Sequence, residues 1–422
     1  MSPLPARFRS LVTATERSVM SSPAQPVVFD AFAPEHRPDP YPRYALVREA
    51  VPFLDSGLDV EFVTRHAEGS RILTETRWSH RDEASLFHPD ADTKDLPTSF
   101  LWMDPPDHTR LRSLVSKAFT PKRVVDLTPR ITELVTGMVD TALAQGDVEG
   151  IETVAYPLPL VVVCELLGVP AADQEMVHRV GPGLARGFDP DRVLTPDERL
   201  ARDEGSRELI AYFRDLIARR VKDPQDDLVS ALGAVHERGD TLDEHEMLSV
   251  CITLLIAGHE TTVNMVGNGL LGFARNPAQL ARVRADPSLA GPAVDEILRY
   301  DSPVHMTTRT ARGELVVGDR TFDDGDSVCV LVGSANRDPR AFDRPEEFDV
   351  GRYATGALTP RHLGFALGIH YCMGAALARL EGEVLWTELA RRVGSLELAG
   401  EPVYRPNILI RGLRELPLRV TA

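Results

Sequence analysis

Residues 365–374 read Phe-Ala-Leu-Gly-Ile-His-Tyr-Cys-Met-Gly, and a helical pattern starts at once with Ala375. This order sets Cys372 just ahead of a helix N-terminus, where amide N–H groups and the helix dipole favour an anion and so stabilise a thiolate. Gly368 and Gly374 let the backbone turn and pass close to a flat ligand. Backbone N–H groups near the sulfur would tune the potential of a metal bound there. Alone, such a cysteine reads as a buried thiol beside a turn. Phe365, the two glycines and His370 at these spacings give it a chemical reading.

A second place of interest is Ala257-Gly258-His259-Glu260-Thr261-Thr262, preceded by the nearly all-apolar run Val250 to Ile256. A glycine, an acid and a threonine in a buried stretch need a reason. Gly258 costs about 1 kcal/mol of helix stability relative to Ala. Thr261 can donate back to the carbonyl of Ala257 and bend the helix, which would widen a groove. Adjacent residues point in different directions, so a proton relay between Glu260 and Thr261 would pass through water. His259 is expected to face another helix, with no catalytic role. Elsewhere, Glu296 and Arg299 share a helix face, as do His108 and Arg112, which can both reach one anion.

Residues 365–374 resemble the haem-binding loop of the cytochrome P-450 family, Phe-x-x-Gly-x-His-x-Cys-x-Gly. One departure is Ala366, which adds a methyl group where many members carry Gly. Residues 257–261 resemble the family's Ala-Gly-x-Glu-Thr motif. Glu296, Arg299 and the segment 346–352 resemble its buried triad, with Arg352 as third member. The likeness runs from about residue 28 to the end and is to soluble bacterial members, with actinobacterial natural-product tailoring enzymes looking nearest.

The resemblance implies a mainly α fold with small peripheral β-sheets, a triangular helical prism around a buried haem b whose iron is ligated by Cys372. An anionic sulfur donates electron density through the iron and favours O–O cleavage. His108, Arg112, Arg309 and His370 are implied to hold the propionates, and Ala257, Gly258, Phe365, Gly368 and Gly374 to border the cofactor. Thr261 would steady activated oxygen and its water, and Glu260 would supply protons from the solvent side. Substrate contacts would come from the 80–103 loop, the helices near 171–210, Leu254, Ala257, residues 304–308 (Val304 and Met306) and the stretch 407–410 (Ile408). The implied reaction takes O2 and two electrons from a ferredoxin and its reductase, with NAD(P)H as ultimate donor. It hydroxylates or epoxidises a small secondary metabolite, as in antibiotic biosynthesis. Two alternatives stay open: a peroxide-using haem enzyme, and a catalytically silent relative that activates a partner enzyme.

Helical patterns at 107–118, 122–145, 150–167, 171–187, 197–221, 226–237, 243–275, 277–284, 289–301 and 373–392 would position these residues. Asp243 with Glu246 three residues on reads as a capping box for the longest helix, and Pro277 helps to end it. Strand signals follow Pro303 at 314–317, 320–321 and 328–332. Gly181, Gly183 and Gly187 around Pro182 suggest a mobile lid. Residues 1–27, rich in Ser, Pro and Ala, are expected to be flexible, with 28–422 as one catalytic domain. Cys164, Cys251 and Cys329 read as buried reduced thiols.

The 422-residue chain has 47 Lys plus Arg against 63 Asp plus Glu, a formal charge of −16. That charge argues against nucleic acid and anionic membranes as general partners. No targeting signal and no apolar stretch of spanning length is apparent, so a cytoplasmic location is expected. Against the acidic background, Arg110, Arg112, Lys117, Lys122 and Arg123 form a local basic patch that could steer an acidic ferredoxin.

Overall fold

A computed structural model describes residues 34–56, 60–81, 99–237, 242–354 and 359–422. The expected flexible segment 1–27 and most of the 80–103 loop lie outside the described residues. Among these, the helices are α1 (Tyr41–Ala50), α2 (His66–Thr74), α3 (Asp107–Ala118), α4 (Pro121–Asp126), α5 (Thr128–Gln145), α6 (Pro157–Leu167), α7 (Gln174–Arg186), α8 (Pro196–Lys222), α9 (Leu228–Glu237), α10 (Glu244–Arg275), α11 (Pro277–Ala285), α12 (Ala290–Tyr300), α13 (Val332–Ala335) and α14 (Ala375–Arg392).

Their ends follow local chemistry. The Asp243 carboxylate accepts from the Glu246 N–H at 2.7 Å, and the Glu246 carboxylate accepts from the Asp243 N–H at 3.0 Å. This is the expected reciprocal cap, and Thr195 with Glu198 builds the same device at the start of α8. The single helix expected over 122–145 is two: α4, capped by Thr120, and α5, with a proline in its first turn. The helix expected over 150–167 also divides. Ile151–Ala155 forms a wide turn, closed by the Tyr156 N–H on the Ile151 carbonyl, before α6 starts at Pro157. Prolines lack the N–H that a continuous helix needs.

The strands are β1 (Phe53–Asp55), β2 (Val60–Val63), β3 (Trp78–Ser79), β4 (Asp147–Glu149), β5 (Met306–Ala311), β6 (Leu315–Val317), β7 (Arg320–Phe322), β8 (Ser327–Leu331), β9 (Ser395–Leu398), β10 (Val403–Tyr404), β11 (Leu413–Glu415) and β12 (Pro417–Thr421). The largest sheet has the order β1-β2-β8-β5-β3, parallel only between β2 and β8. Its strand β5 was not expected, because Met-Thr-Thr-Arg-Thr-Ala lacks the alternation of a half-buried strand. It lies between β8 and β3 and is buried on both faces, where β-branched threonines pack well.

Helix α10 is the axis of the core. It is buried over most of Met247 to Phe273 and without a break from Thr262 to Phe273. By length and composition it is also apolar enough to cross a membrane, but 67% of its most apolar window is buried inside the protein. Around it lies the main hydrophobic cluster. One smaller cluster surrounds Val63, Trp78 and Val330, and another gathers Tyr41, Tyr44, Phe62, Met306 and Ile408.

The carboxylate of Glu296 on α12 joins the helical part to the irregular segment after α13. Arg299 grips it with two hydrogen bonds of 2.7 and 2.8 Å, and the Arg352 Nε adds a third at 3.0 Å. Arg299 also donates to the carbonyls of Asn336, Pro345 and Glu347, and the Asp349 N–H reaches the same carboxylate. Glu296 and Arg299 are fully buried. Removing one partner strands the others, so Glu296→Ala is expected to destabilise the fold by about 3–5 kcal/mol. Denaturant unfolding of the two proteins checks this; a loss within 1 kcal/mol, on the order of an exposed pair, would show that the triad does not hold the segment.

Candidate active site

The loop before α14 is fixed by its own backbone. The Cys372 N–H donates to the Phe365 carbonyl at 2.9 Å, closing residues 365–372 into a loop. Gly368 has a φ of +66°, and a Cβ there would sit 2.6 Å from the Leu73 carbonyl oxygen of α2. Its role is thus a left-handed turn and a close approach to α2. Gly374 has ordinary backbone angles, and a Cβ there would meet only the Cys372 sulfur, at 3.9 Å. Ala366 has a φ of +54°, a left-handed conformation that costs an L-residue roughly 1–2 kcal/mol. That strain is the physical reason for glycine at this position.

Cys372 alone among the four cysteines is only partly buried; Cys164, Cys251 and Cys329 are buried free thiols, as expected. Burial pushes the Cys372 thiol up, against the N–H groups of Gly374 and Ala375 and the cations Arg112 and Arg379. The helix-end amides are therefore present as expected but do not prevail by themselves. A metal cation bound there would supply the remaining pull, since coordination deprotonates a thiol outright. Arg379 is a clamp that the sequence reading missed. It holds Asp295 of α12 at 2.7 Å, donates to the Tyr371 hydroxyl at 3.0 Å, and lies over the Phe365 ring at 4.8 Å. His362 reaches the same Asp295 carboxylate at 3.0 Å.

The four residues expected to hold carboxylates come together. The rings of His108 and His370 stand 4.3 Å apart, with His80 at 5.3 Å from His370. Burial and the neighbouring Arg309, His80, His108 and Arg112 depress the His370 imidazole to about 2. The Arg112 guanidinium donates to the Tyr371 carbonyl, and Arg309 donates to the Thr307 hydroxyl and the Thr308 carbonyl. His108 Nδ1 and His370 Nε2 are buried without a protein partner. Such a concentration of cationic and donor groups fits a dianionic ligand.

Helix α10 runs uninterrupted through its motif. Both threonines bond back one turn, Thr261 to the Ala257 carbonyl at 2.5 Å and Thr262 to the Gly258 carbonyl at 2.9 Å. Between Cys251 and Phe273 exposure concentrates at Leu254, Ala257, Gly258 and Thr261, with Ile252 and Ile256 the other partly open residues. Spacings of three, four and seven residues put the first four on one face. An open stripe on an otherwise buried helix marks an internal space. Leu254 and Cys372 border the same main cluster. The polar donors, the partly buried cysteine and this stripe together fit a flat metallocycle bearing two carboxylates.

Glu260 is not on the solvent side: it is 1% exposed. One carboxylate oxygen meets Arg405 at 2.7 Å, and burial raises its proton affinity despite that partner. Arg405 follows β10, 145 residues along the chain, and no local pattern announces it. His259 behaves as expected of a packing residue. It meets the Tyr156 ring edge-on at 4.5 Å, and burial first and Arg405 next push its imidazole down to about 3.

Other expected residues are redistributed. Met306 is three positions from Arg309 on β5, an odd separation that puts it on the opposite face. It packs with Tyr44, Leu54 and Phe62, and Thr307 takes the face that it was expected to hold. Val304 pairs with Ile410. Ile408 is buried and tied to the segment after α7, where the Asp189 carboxylate accepts from the N–H groups of Ile408 and Leu409 at 3.0 and 2.8 Å. Two of the three supposed lid glycines serve close packing: a Cβ at Gly181 would stand 3.2 Å from both Glu260 and the Tyr156 hydroxyl, and one at Gly187 would stand 2.6 Å from Arg202, whereas one at Gly183 would make only ordinary contacts. The basic patch is largely neutralised, because Arg110 pairs with Glu246, Lys122 with Asp126 and Arg123 with Asp226.

Residues 289–393 match the family model described as Cytochrome P450. Cytochrome P450 107B1 of Saccharopolyspora erythraea is 38% identical over 407 residues, covering 92% of this chain and 96% of its own. The 6-deoxyerythronolide B hydroxylase of the same organism is 38% identical over 402 residues, covering 90% and 96%. A crystal structure of ligand-free Mycobacterium smegmatis CYP164A2 matches with a TM-score of 0.84 at 39% identity, over 92% of this chain and 98% of that one.

Ala366→Gly is expected to raise unfolding stability by about 1 kcal/mol, because it relieves the left-handed strain at that residue. Denaturant midpoints measured on the cofactor-loaded protein check this, and an unchanged midpoint would show that the loop does not hold Ala366 in that conformation.

Proposed function

The chain belongs to the cytochrome P450 family, whose members are monooxygenases that bind haem b through a cysteine thiolate, and from that premise we propose that it oxidises a small secondary metabolite, inserting one oxygen atom into a C–H or C=C bond. One of its relatives is named for hydroxylating 6-deoxyerythronolide B. Carrying the reading is the open stripe Leu254, Ala257, Gly258 and Thr261 on a buried helix, bordering the same core as Cys372. Haem b, when bound, supplies the iron at which dioxygen is activated with two electrons.

Cys372 would hold the iron, and His108, Arg112, Arg309 and His370 would hold the two propionates. Ala257, Gly258, Phe365, Gly368 and Gly374 would border the ring. Thr261 would orient water at the oxygen side. Its hydroxyl donates to Ala257 and keeps its lone pairs free to accept from that water. Glu260 would carry the proton; burial keeps its carboxyl protonated more readily than usual, and a positioned acid needs a proton to give. Leu254, Val304 and Thr307 would bound the substrate space. The electron donor would be a ferredoxin with its reductase, as bacterial relatives use. The silent-relative reading loses ground because Cys372, Glu260 and Thr261 are all present.

Titrating candidate metabolites into the ferric protein and watching the Soret band tests the substrate class; no shift with any macrolide-like or terpenoid compound would count against it. Cys372→Ala is expected to abolish the long-wavelength Soret band that thiolate ligation gives the reduced carbon monoxide complex; a retained band would move the ligand elsewhere. Thr261→Ala is expected to keep the haem but lower product formed per electron by about 10²-fold, the electrons leaving as hydrogen peroxide, at the lower end of what positioned proton transfer contributes. Unchanged coupling would remove the role given to that hydroxyl.

A further inference from the structure

A surface groove lies between α1, the start of β5 and the hairpin of β10 and β11. Four arginines line it, Arg37, Arg43, Arg405 and Arg411, and no carboxylate is among its described lining residues. On a chain of formal charge −16, such a concentration of the opposite sign is a local field that favours an anion. Two of the arginines are fixed from behind. Arg411 is buried; its Nε donates to Asp301 at 2.7 Å and its Nη2 to the Pro38 carbonyl at 3.0 Å, and its guanidinium lies over the Tyr404 ring at 4.3 Å. Arg405 gives Nη1 to Glu260 at 2.7 Å and Nε to the Leu413 carbonyl at 3.2 Å. A guanidinium has five N–H groups, so both keep donors beyond these bonds. Arg43 makes no hydrogen bond or ion pair with any described residue, and it stands in the first turn of α1, which has neither an acid nor a side-chain cap. The positive end of a helix dipole disfavours a cation there.

We propose that this groove binds an organic carboxylate with an apolar body, at a site separate from the haem chamber. The planar guanidinium fork matches the two oxygens of a carboxylate. Asp301 and Glu260 answer Arg411 and Arg405 from behind, but nothing among the described residues answers Arg43, and the ligand's charge does so. The same charge suits the uncapped first turn of α1. Pro40, Tyr44, Met306 and Ile408 line the rest of the groove. These surfaces fit a hydrocarbon or aromatic body, whereas inorganic phosphate would leave them in water. The floor is formed before any ligand arrives. The His305 ring nitrogens lie 3.3 and 3.2 Å from the hydroxyls of Tyr41 and Tyr44, and the Tyr41 hydroxyl donates to Asp301 at 2.6 Å. A preformed floor spares a ligand the cost of ordering it. Met306 lies on the face of β5 opposite to Arg309, so an occupant of the groove does not reach the reacting atoms.

Equilibrium dialysis of labelled decanoate against the haem-loaded protein tests this, with an iron-ligating phenylimidazole filling the haem chamber so that binding there is blocked. A single equivalent of decanoate is expected to bind while the Soret band of the phenylimidazole complex stays unchanged. Decanol has the same body without the charge, and inorganic phosphate has charge without the body. Each is expected to compete at least about tenfold more weakly than unlabelled decanoate. Arg43→Gln changes an exposed side chain outside the haem site, so its Soret band and unfolding midpoint are expected to match those of the parent. Its affinity for decanoate is expected to fall by about 10- to 100-fold, as loss of hydrogen bonds to a charged group gives. Arg43→Lys, which keeps the charge and loses the fork, is expected to fall between the two. No decanoate bound with the chamber filled, equal affinity in Arg43→Gln, or decanol competing as well as decanoate overturns the proposal. Phosphate competing as well as decanoate also overturns it, since the groove would then hold any small anion.

Discussion

The proposed thiolate at Cys372, an anion inside a hydrophobic core, is the constraint from which the arrangement of this protein follows. Burial opposes the thiolate at Cys372, and charges in low dielectric persist only when paired. Two helix-end amides and the cations Arg112 and Arg379 answer part of that cost, and both cations are themselves held. Arg112 donates to the Tyr371 carbonyl beside the sulfur, and Arg379 is gripped by Asp295. Asp295 and Glu296 are neighbours on α12. One carboxylate reaches the cysteine loop through Arg379, and the other anchors Arg299 and Arg352. A single helix therefore sets the position of the loop and of the segment that supports it, which is why a triad with no chemistry of its own sits under the site.

Helix α10 divides its work by face. Leu254, Ala257, Gly258 and Thr261 form an open apolar-and-hydroxyl stripe suited to a ligand. Glu260, Asn264 and Asn268, one position round, form a buried polar one. Adjacent residues lie about 100° apart on a helix, so Thr261 and Glu260 cannot face the same space. That angle keeps the reactive side shielded from bulk water while an acid stands just behind it. The glycine at 258 lowers helix propensity, yet the helix is continuous, because tertiary packing along nearly its whole length outweighs local preference.

What could be read from the sequence was local. The cysteine loop, the Glu296–Arg299 pair and the Asp243–Glu246 cap are each set within ten residues; the pair and the cap have the geometry expected of them, and in the loop the left-handed turns fall on Ala366 and Gly368, with ordinary angles at Gly374. The four residues expected to hold carboxylates also come together, and of these only His108 and Arg112, one turn apart on α3, are neighbours in the sequence. Legibility failed where the partner lies far along the chain or where parity decides. Nothing near Arg405 announces Glu260, and nothing near Asp295 announces Arg379. Strand β5 escaped notice because a strand buried on both faces loses its alternation, and without the strand the parity that removes Met306 from Arg309's face could not be counted. The glycines of α7 suggested a hinge, whereas contact with Glu260, Tyr156 and Arg202 explains two of them. The basic patch looked unbalanced because its carboxylates, Glu246 and Asp226, lie on other segments.

Three buried carboxylates from three different parts of the chain converge on the last structural unit, the hairpin and its turn. Asp189, after α7, accepts from the backbone of Ile408 and Leu409. Glu260 of α10 pairs with Arg405, and Asp301, at the end of α12, pairs with Arg411 at 2.7 Å. Hydrogen bonds to charged groups contribute about 1.5–3 kcal/mol each. Moving the hairpin as a body would break all three sets and take the cation from Glu260, while Asp189 would keep Arg186 and Asp301 the Tyr41 hydroxyl, so opening along this edge is opposed chiefly at Glu260. Motion that admits a substrate is then confined to segments that the hairpin does not grip, and α7 can swing only after Asp189 releases its two amides. The same contacts that close the site from this side therefore also fix Arg405 against Glu260, so the acid stays buried whenever the hairpin is seated.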